Sequence, residues 1–377
     1  MLSKSNLSLF AYVAFAVAIL LVPVMVGGDA FLLNKFSRYI ALGIVAVALS
    51  LSWGYGGILN LGQGAGFGLG AYAMAMHLKL LASVSNPGGL PDFMRWNNVD
   101  SVPLFWQPFH SLGISILVGI GLPALVAAIV GLFIFRARIA GVFVAIITLA
   151  LLVVINLLFI DQQRYTGGFN GITDLAMFSV GSFTVDPYST DFYYMTAGCL
   201  IAVLLFGLYV VRSKFGLVLQ AIRGDAERVR YFGYDVAAYQ TIAFTLSAAI
   251  AGIAGMLYAM VLEFASPTFM SVSLSLSIVI WCAVGGRQSL VAAAAGAILV
   301  NAMQGTLSEQ FLDTAQLLLG GIFVLVVLFM PRGIGGVVED VVDRLVGARR
   351  AVQPVEPAEG AEETRSADGG EHREART

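Results

Sequence analysis

The sequence predicts an all-α polytopic membrane protein with about ten transmembrane helices. Of its 377 residues, 58% are hydrophobic and only 12% are charged, which is about half the charged share of a typical soluble domain. The mean hydropathy is +0.86. Apolar stretches of about 20 residues, the length that a helix needs to cross a bilayer, recur along the chain. Lipid is therefore the solvent of most of this chain.

Ten apolar stretches mark the predicted helices. They lie near residues 7–26, 38–53, 63–82, 112–135, 139–160, 193–211, 241–262, 273–286, 289–306 and 314–330. The eighth is short and ends in glycine. The first follows Lys4 and ends without a clear small-x-small cleavage motif, so it is predicted to be an uncleaved helix.

The distribution of charge predicts the orientation. With the N-terminus placed in the cytoplasm, 13 lysines and arginines lie inside and five lie outside or at the outer boundary. This positive-inside bias and ten spans predict that both termini are cytoplasmic. No charged side chain lies deeper than the terminal turn of a predicted helix. The pattern favours a charge-free pathway for a neutral solute that is moved by an external energy source.

Two regions differ in composition. Residues 1–337 form the predicted transmembrane domain, with outer loops at 83–111 and 161–192 and a charged cytoplasmic segment at 212–240. Residues 338–377 form a predicted cytoplasmic polar tail. From Ala351 the tail contains mainly Pro, Glu, Gly, Ala and Arg, a composition typical of disorder.

Several classes of function are disfavoured. Cys199 and Cys282 stand alone in apolar runs and the three histidines are scattered, so neither a metal site nor a catalytic triad is predicted. A net charge of -2 offers no basic surface for nucleic acid. The sequence contains no Gly-x-x-x-x-Gly-Lys-Ser/Thr phosphate loop, so any ATP that drives the process is hydrolysed on another polypeptide. No catalytic residue is predicted in this chain.

Segment 53–72, between the second and third predicted helices, is dense in glycine. Gly62, Gly66 and Gly70 are spaced by four, as in a small-residue seam where two helices pack closely. Alternatively, the glycines break the helix and the segment also lines a water-filled pathway. Unpaired backbone at membrane depth is tolerated only when it is buried in protein or borders such a cavity. On that interpretation the pathway candidates are Gly56, Gly57, Asn60, Gln63 and Tyr72.

A weaker copy of this pattern, Gly-Gly-x-x-polar-Leu, occurs at 285–290. The similarity suggests an internal repeat, a common feature of transport proteins. The predicted topology places both glycine breaks on the same side of the membrane, so the pattern gives no evidence that the repeat is inverted.

Segment 212–240 has an amphipathic pattern. Apolar residues recur every three or four positions at Leu219, Ile222, Ala226, Val229 and Phe232, while Arg223, Glu227 and Arg230 form the opposite face. The pattern predicts one short amphipathic helix. This helix either lies in the membrane interface or acts as a lever that docks into a cytoplasmic partner.

The outer-loop run 166–174 has the glycine and asparagine content of tight turns. It is either a turn alone or a wall of the outer vestibule that contacts arriving solute. On the second interpretation Asn170 and Thr173 join the pathway candidates.

Four motifs in order carry a family resemblance. The glycine-rich break is similar to a Gly-Tyr-Thr-Gly-x-x-Ser-Leu-Gly-His segment, the stretch 212–233 to a coupling loop, and the runs 283–287 and 331–334 to two further motifs. All four resemble the membrane subunits of bacterial ABC importers for branched-chain amino acids and urea. The resemblance runs from about Arg38 to Val337.

The resemblance implies a solute. The insertion at 90–94 and the run 166–174 are more similar to the urea-type permease, which implies urea uptake, with branched-chain amino acids as the alternative. Gly56, Asn60 and Gln63 depart from the family's Thr, Ser and His. An ATP-independent channel or secondary carrier for a small neutral solute is the alternative of another class.

The resemblance also implies partners. They are a second homologous permease subunit, two cytoplasmic ATPase subunits that hold ATP and Mg²⁺, an extracytoplasmic solute-binding protein and the lipid of the bacterial inner membrane. This chain is expected to hold no cofactor. The residues implied in coupling to the ATPase are Arg223, Asp225, Glu227, Arg230 and Gly233.

Overall fold

A computed structural model describes residues 4–181, 183–310, 320–321 and 333–336. These residues belong to one compact unit bounded at Met1–Gly336, and the predicted tail, 338–377, lies outside them. In chain order the helices and strands are α1 (Lys4–Met25), α2 (Ala30–Leu49), a π-helical segment (Ser50–Tyr55), α3 (Gln63–Ala82), α4 (Asp92–Trp96), α5 (Leu112–Arg136), α6 (Val142–Asp161), α7 (Gln163–Thr166), β1 (Phe178–Val180), β2 (Phe183–Val185), α8 (Thr190–Arg212), α9 (Lys214–Gly224), α10 (Ala226–Tyr231), α11 (Val236–Leu262), α12 (Val272–Gly285) and α13 (Leu290–Gln310).

Among the described residues, seven helices are long and apolar enough to cross a membrane: α2 with its π-helical continuation, α3, α5, α6, α8, α11 and α13. Shorter apolar helices cover Phe10–Met25 of α1 and all of α12. The predicted polytopic helical class is therefore confirmed. The tenth predicted span, 314–330, falls almost wholly outside the described residues, so the count of ten and the orientation of the termini stay predictions.

Helix α2 begins at Ala30, eight residues before the predicted start at Arg38. The Asp29 carboxylate accepts a hydrogen bond from the Leu32 N–H at 3.1 Å and caps the helix. Lys35 and Arg38 therefore lie in the second and third turns of a membrane helix. The expectation that no charge lies deeper than a terminal turn is wrong, because the polar residues that interrupt the apolar run are accommodated by contacts from distant segments.

Helices α2 and α3 occupy the centre of the bundle. Of the 18-residue apolar stretch that could cross the membrane, 83% is buried in each of these two helices. The corresponding share is 22% in α5 and in α6, whose side chains face outward. Helix α11 packs against α2, α3 and α5. A Cβ atom on Gly255 would lie 1.8 Å from the Phe67 carbonyl oxygen, and one on Gly70 would lie 2.1 Å from the Gly252 carbonyl oxygen. The small-residue seam that the spacing predicted is therefore present, as a close backbone contact between α3 and α11.

A β-hairpin, which the sequence did not predict, lies in the loop before α8. Strands β1 and β2 are antiparallel, with Phe178 paired to Val185. Upstream, the run 166–174 is tied to the connection between α11 and α12. Ile172 donates its N–H to the Ala265 carbonyl at 2.7 Å and accepts the Ala265 N–H at 3.0 Å.

Candidate functional site

The predicted glycine-rich break is a real interruption between α2 and α3. Helix α2 widens into the π-helical segment at Ser50–Tyr55, and α3 starts only at Gln63. Single π-turns are rare in helices and are frequent at functional sites. Gly57 follows in the left-handed region, at φ +70°, and its N–H donates to the Trp53 carbonyl at 3.0 Å. The chain thus stops being helical between α2 and α3.

Side chains from two other helices satisfy the backbone of this break. Thr148 of α6 accepts the Leu61 N–H at 3.1 Å. Ser275 of α12 donates its hydroxyl to the Leu61 carbonyl and accepts the Gly64 N–H at 3.3 Å. Irregular backbone inside a membrane requires such partners. The break is therefore held in place by α6 and α12.

Asn60 and Gln63 form a buried amide network, with 3% and 1% of their surface exposed. The Asn60 side-chain N–H donates to Gln63 Oε1 at 2.8 Å, and Asn60 Oδ1 accepts the Gly62 N–H at 2.8 Å. The Gln63 side-chain N–H donates to the Ser247 carbonyl of α11 at 3.1 Å. In this conformation the hydrogen bonds of both amides are made within the protein.

A cavity of about 20 Å³ borders Asn60 and Thr148, between α3, α5, α6 and α11. This volume holds about one water molecule and is too small for urea or an amino acid. A solute could therefore reach Asn60 through this cavity only if the surrounding helices moved apart.

The remaining pathway candidates lie apart from this network. Tyr72 lies nine residues along α3 from Gln63 and is fully buried, with its ring 4.6 Å from that of Phe159. Its hydroxyl has no hydrogen-bond partner among the residues that the structure describes. Asn170 and Thr173 are exposed beyond the far end of α6. The structure thus brings Asn60 and Gln63 together but leaves the outer-loop pair at the opposite end of the bundle.

The charged segment 212–240 contains two short helices, where the pattern predicted one. The extended backbone at Asp225 ends α9, and the Asp225 carboxylate caps α10 by accepting the Glu227 and Arg228 N–H groups at 3.1 Å each. This interruption rotates the apolar face of α10 relative to the apolar face of α9. Leu219, Ile222 and Val229 are buried as predicted, Ala226 is half-buried, but Phe232 is 81% exposed.

The predicted coupling residues are divided by the same interruption. Glu227 and Arg230 form an ion pair at 2.5 Å on the exposed side of α10, and Gly233, at φ +88°, follows the helix. Arg223 points elsewhere, because its guanidinium donates to the Gly54 carbonyl in the π-helical segment. The structure therefore connects the charged segment 212–240 to the glycine-rich break, a contact that the sequence does not predict.

Contacts from both sides fix the π-helical segment. On the α9 side, a Cβ on Gly57 would lie 2.8 Å from Arg223 Cγ. On the other side, the Ser50 hydroxyl donates to the Arg287 carbonyl at 2.9 Å, and the Arg287 guanidinium lies 5.2 Å from the centre of the Trp53 ring. Movement of α9 relative to the bundle would therefore act on the break directly.

Exposed aromatic side chains extend from the end of α10. Tyr231 is 91% exposed and Phe232 is 81% exposed, with Tyr234 nearby at 45%. Aromatic side chains of this size next to charged residues are typical of protein interfaces. Aromatic side chains beside basic residues are also typical of the membrane–water interface, so both interpretations of segment 212–240, a docking lever and an interfacial helix, stay open.

Comparison with known proteins identifies the family. The family model described as branched-chain amino acid transport system / permease component matches residues 30–327. The chain belongs to this family. It is 29% identical over 252 residues to the high-affinity branched-chain amino acid transport system permease protein LivM of Salmonella typhimurium, covering 60% of this chain and 58% of that protein. It is 30% identical over 222 residues to LivM of Escherichia coli, covering 52% and 51%.

The chain thus spans somewhat more than half the length of the curated relatives that it matches. No solved structure is significantly similar to it. Membership of the family, together with the seven apolar helices among the described residues, is consistent with a multi-pass protein of the inner membrane, as the motifs predicted. The comparisons do not confirm the urea-specific subtype, since both relatives are named for branched-chain amino acids.

Proposed function

We propose that this chain is the transmembrane permease subunit of an ATP-driven importer of branched-chain amino acids. A second homologous permease subunit completes the pathway, two ATPase subunits with ATP and Mg²⁺ bind on the side of α9 and α10, and a solute-binding protein delivers the amino acid from the opposite side. The relatives' names favour amino acids over urea.

The observation that carries the proposed mechanism is the contact between Arg223 and the Gly54 carbonyl. Closure of the ATPase pair on ATP binding displaces α10 and α9. Arg223 then pulls on the π-helical segment, the Asn60–Gln63 network separates, and the break opens toward the solute. The buried amide network supports this sequence of events, because Asn60 and Gln63 are hydrogen-bonded within the protein and must separate before a solute can reach them.

A transport assay tests the proposed solute. The importer is reconstituted with its partner subunits in proteoliposomes, and uptake of labelled leucine and labelled urea is measured with and without internal ATP. ATP-dependent uptake of leucine alone is expected. Uptake of urea alone would show that the importer belongs to the urea branch of the family. Uptake by this single chain without ATP would show that it is a channel or carrier and not an importer subunit.

A charge reversal tests the coupling role. Glu227→Lys replaces an attractive pair by a repulsive one on the exposed face of α10, where an ion pair contributes at most about 1 kcal/mol to stability. Assembly should survive, while leucine uptake per ATP hydrolysed should fall. Arg136→Gln, an exposed charge change at the end of α5, is the matched control. Normal coupling in Glu227→Lys with normal assembly would remove this residue from the mechanism.

A further inference from the structure

Arg38 is a cation inside the bundle. It lies about 12 Å along α2 from Ala30, at 1.5 Å per residue. A span of 26 residues overhangs a hydrocarbon core of about 30 Å by only about 5 Å at each end. Arg38 therefore lies within the apolar layer, where an ionisable side chain is costly and usually marks a functional site.

Arg38 faces protein at its level of the membrane. Its neighbours Ser37 and Tyr39 are 1% and 8% exposed, and α2 is packed against α8, α11 and α13. Arg38 itself is half-buried, so part of its side chain remains accessible.

The guanidinium is oriented by a single neutral partner. Its Nε and Nη2 both donate to Asn34 Oδ1, at 2.9 and 2.7 Å. Asn34 is fixed in turn, because its side-chain N–H groups donate to the Pro187 and Val261 carbonyls at 3.2 Å each. Three of the five arginine N–H donors are left. No carboxylate of the described residues forms a salt bridge with Arg38.

An aromatic cluster lies beside this cation. Tyr258 lies one turn before Val261 in α11, and the Val261 carbonyl accepts the Asn34 side-chain N–H, so Tyr258 and Arg38 both lie close to this contact, where α2 packs against α11. The Tyr258 ring lies 5.2 Å from Phe67 and 5.2 Å from Phe269, and Phe264 lies 5.2 Å from Phe269. A positioned cation, a hydroxyl donor and an apolar wall therefore occur in the same part of the bundle, on the far side of the glycine-rich break from α9 and α10.

We propose that Arg38, held by Asn34 and assisted by Tyr258, binds the carboxylate of the transported amino acid, and that the aromatic cluster receives its aliphatic side chain. The proposal rests on the proposed function and specifies the solute chemistry of one subsite. A planar guanidinium with fixed donors matches a carboxylate in two-point geometry. Urea has neither a carboxylate nor an aliphatic tail.

The test is leucine transported per ATP hydrolysed, in the reconstituted importer with saturating leucine-loaded binding protein. This ratio does not depend on the affinity of the binding protein, which is a separate polypeptide. Arg38→Gln should lower the ratio about tenfold or more, because a hydrogen bond to a charged group is lost. Arg38→Lys keeps the charge without the fork and should lower it by a smaller factor. Arg164→Gln, an exposed arginine at the same end of the bundle, is the control and should match the wild type.

The outcomes separate the two proposals. Absence of leucine uptake by the wild-type importer would defeat the proposed function. Leucine uptake by the wild type with an unchanged ratio in Arg38→Gln would defeat this inference alone, and the cation would then serve packing or lipid. If Arg38→Gln does not assemble, Arg38→Lys decides, since a wild-type ratio in an assembled lysine variant overturns the subsite and a lowered ratio supports it.

Discussion

Gly57→Ala tests the contact between the coupling segment and the glycine-rich break. The backbone at Gly57 is left-handed, at φ +70°, where a Cβ costs roughly 1–2 kcal/mol. The new Cβ would also lie 2.8 Å from Arg223 Cγ. Arg223 must then move and lose its hydrogen bond to the Gly54 carbonyl, worth roughly 1.5–3 kcal/mol for a charged donor. The free energy of unfolding should fall by about 2.5–5 kcal/mol, near the lower end because Arg223 is exposed.

A double-mutant cycle isolates the contact. Arg223→Ala alone also loses the hydrogen bond to the Gly54 carbonyl. Each single variant therefore includes the free energy of this bond, whereas the double variant loses the bond only once. The double variant should therefore be more stable than the sum of the single effects predicts, by about 1.5–3 kcal/mol. Reversible unfolding of the purified chain in mixed micelles measures the three free energies. Additivity within about 0.5 kcal/mol would refute the contact.

Gly224→Ala is the matched control for this cycle. It lies next to Arg223 at the end of α9, it is exposed, and a Cβ there would meet no atom within 4 Å. Its stability should stay within about 0.5 kcal/mol of the wild type. The same variants provide a functional comparison, because leucine uptake per ATP should fall in Gly57→Ala and Arg223→Ala but not in Gly224→Ala.

Three further variants, one of them with a control, test the helix packing, the buried Tyr72 hydroxyl and the amide network. Gly255→Ala places a Cβ 1.8 Å from the Phe67 carbonyl oxygen and should lower the free energy of unfolding by about 3 kcal/mol or more. The control is Gly198→Ala, whose Cβ would meet no atom within 4 Å and which should be neutral or stabilising by up to about 1 kcal/mol. Tyr72→Phe removes a buried hydroxyl without a described partner and should raise thermal stability while uptake is unchanged; loss of uptake would instead assign the hydroxyl to the pathway. Asn60→Ala breaks two buried hydrogen bonds and should cost about 1–3 kcal/mol, and an unchanged melting temperature would contradict the network.

Apolar runs predicted the helices well, because burial in lipid requires length and hydropathy that the sequence shows directly. The start of α2 was missed because Asn34 and Lys35 interrupt the apolar run. Asn34 belongs in the helix only through its hydrogen bonds to the Pro187 and Val261 carbonyls, 153 and 227 residues away. The division of the coupling segment was missed for a local reason. The pattern of apolar residues continues across Asp225, but its carboxylate caps a new helix.

The contacts of the candidate site were likewise predictable from the sequence only in part. Asn60 and Gln63 are three residues apart, so their proximity follows from the sequence. Their third partner, Ser247, is 184 residues from Gln63, and Arg223 is 169 residues from Gly54. No periodicity or motif within a single segment encodes such pairs. The sequence therefore identified which residues lie at the break, but not which elements hold it closed.

The glycine content of the break can now be assigned to particular neighbours. A Cβ on Gly54 would overlap the Arg287 carbonyl oxygen at 1.6 Å, and one on Gly62 would lie 2.5 Å from the Thr148 carbonyl oxygen. These contacts come from two different elements, one on each side of the break, so close packing alone accounts for glycine at both positions. Glycine density is therefore no evidence for a pathway here. A role of the break in transport depends on whether displacement of Arg223 opens the amide network, which is the step that the Gly57 and Arg223 variants address.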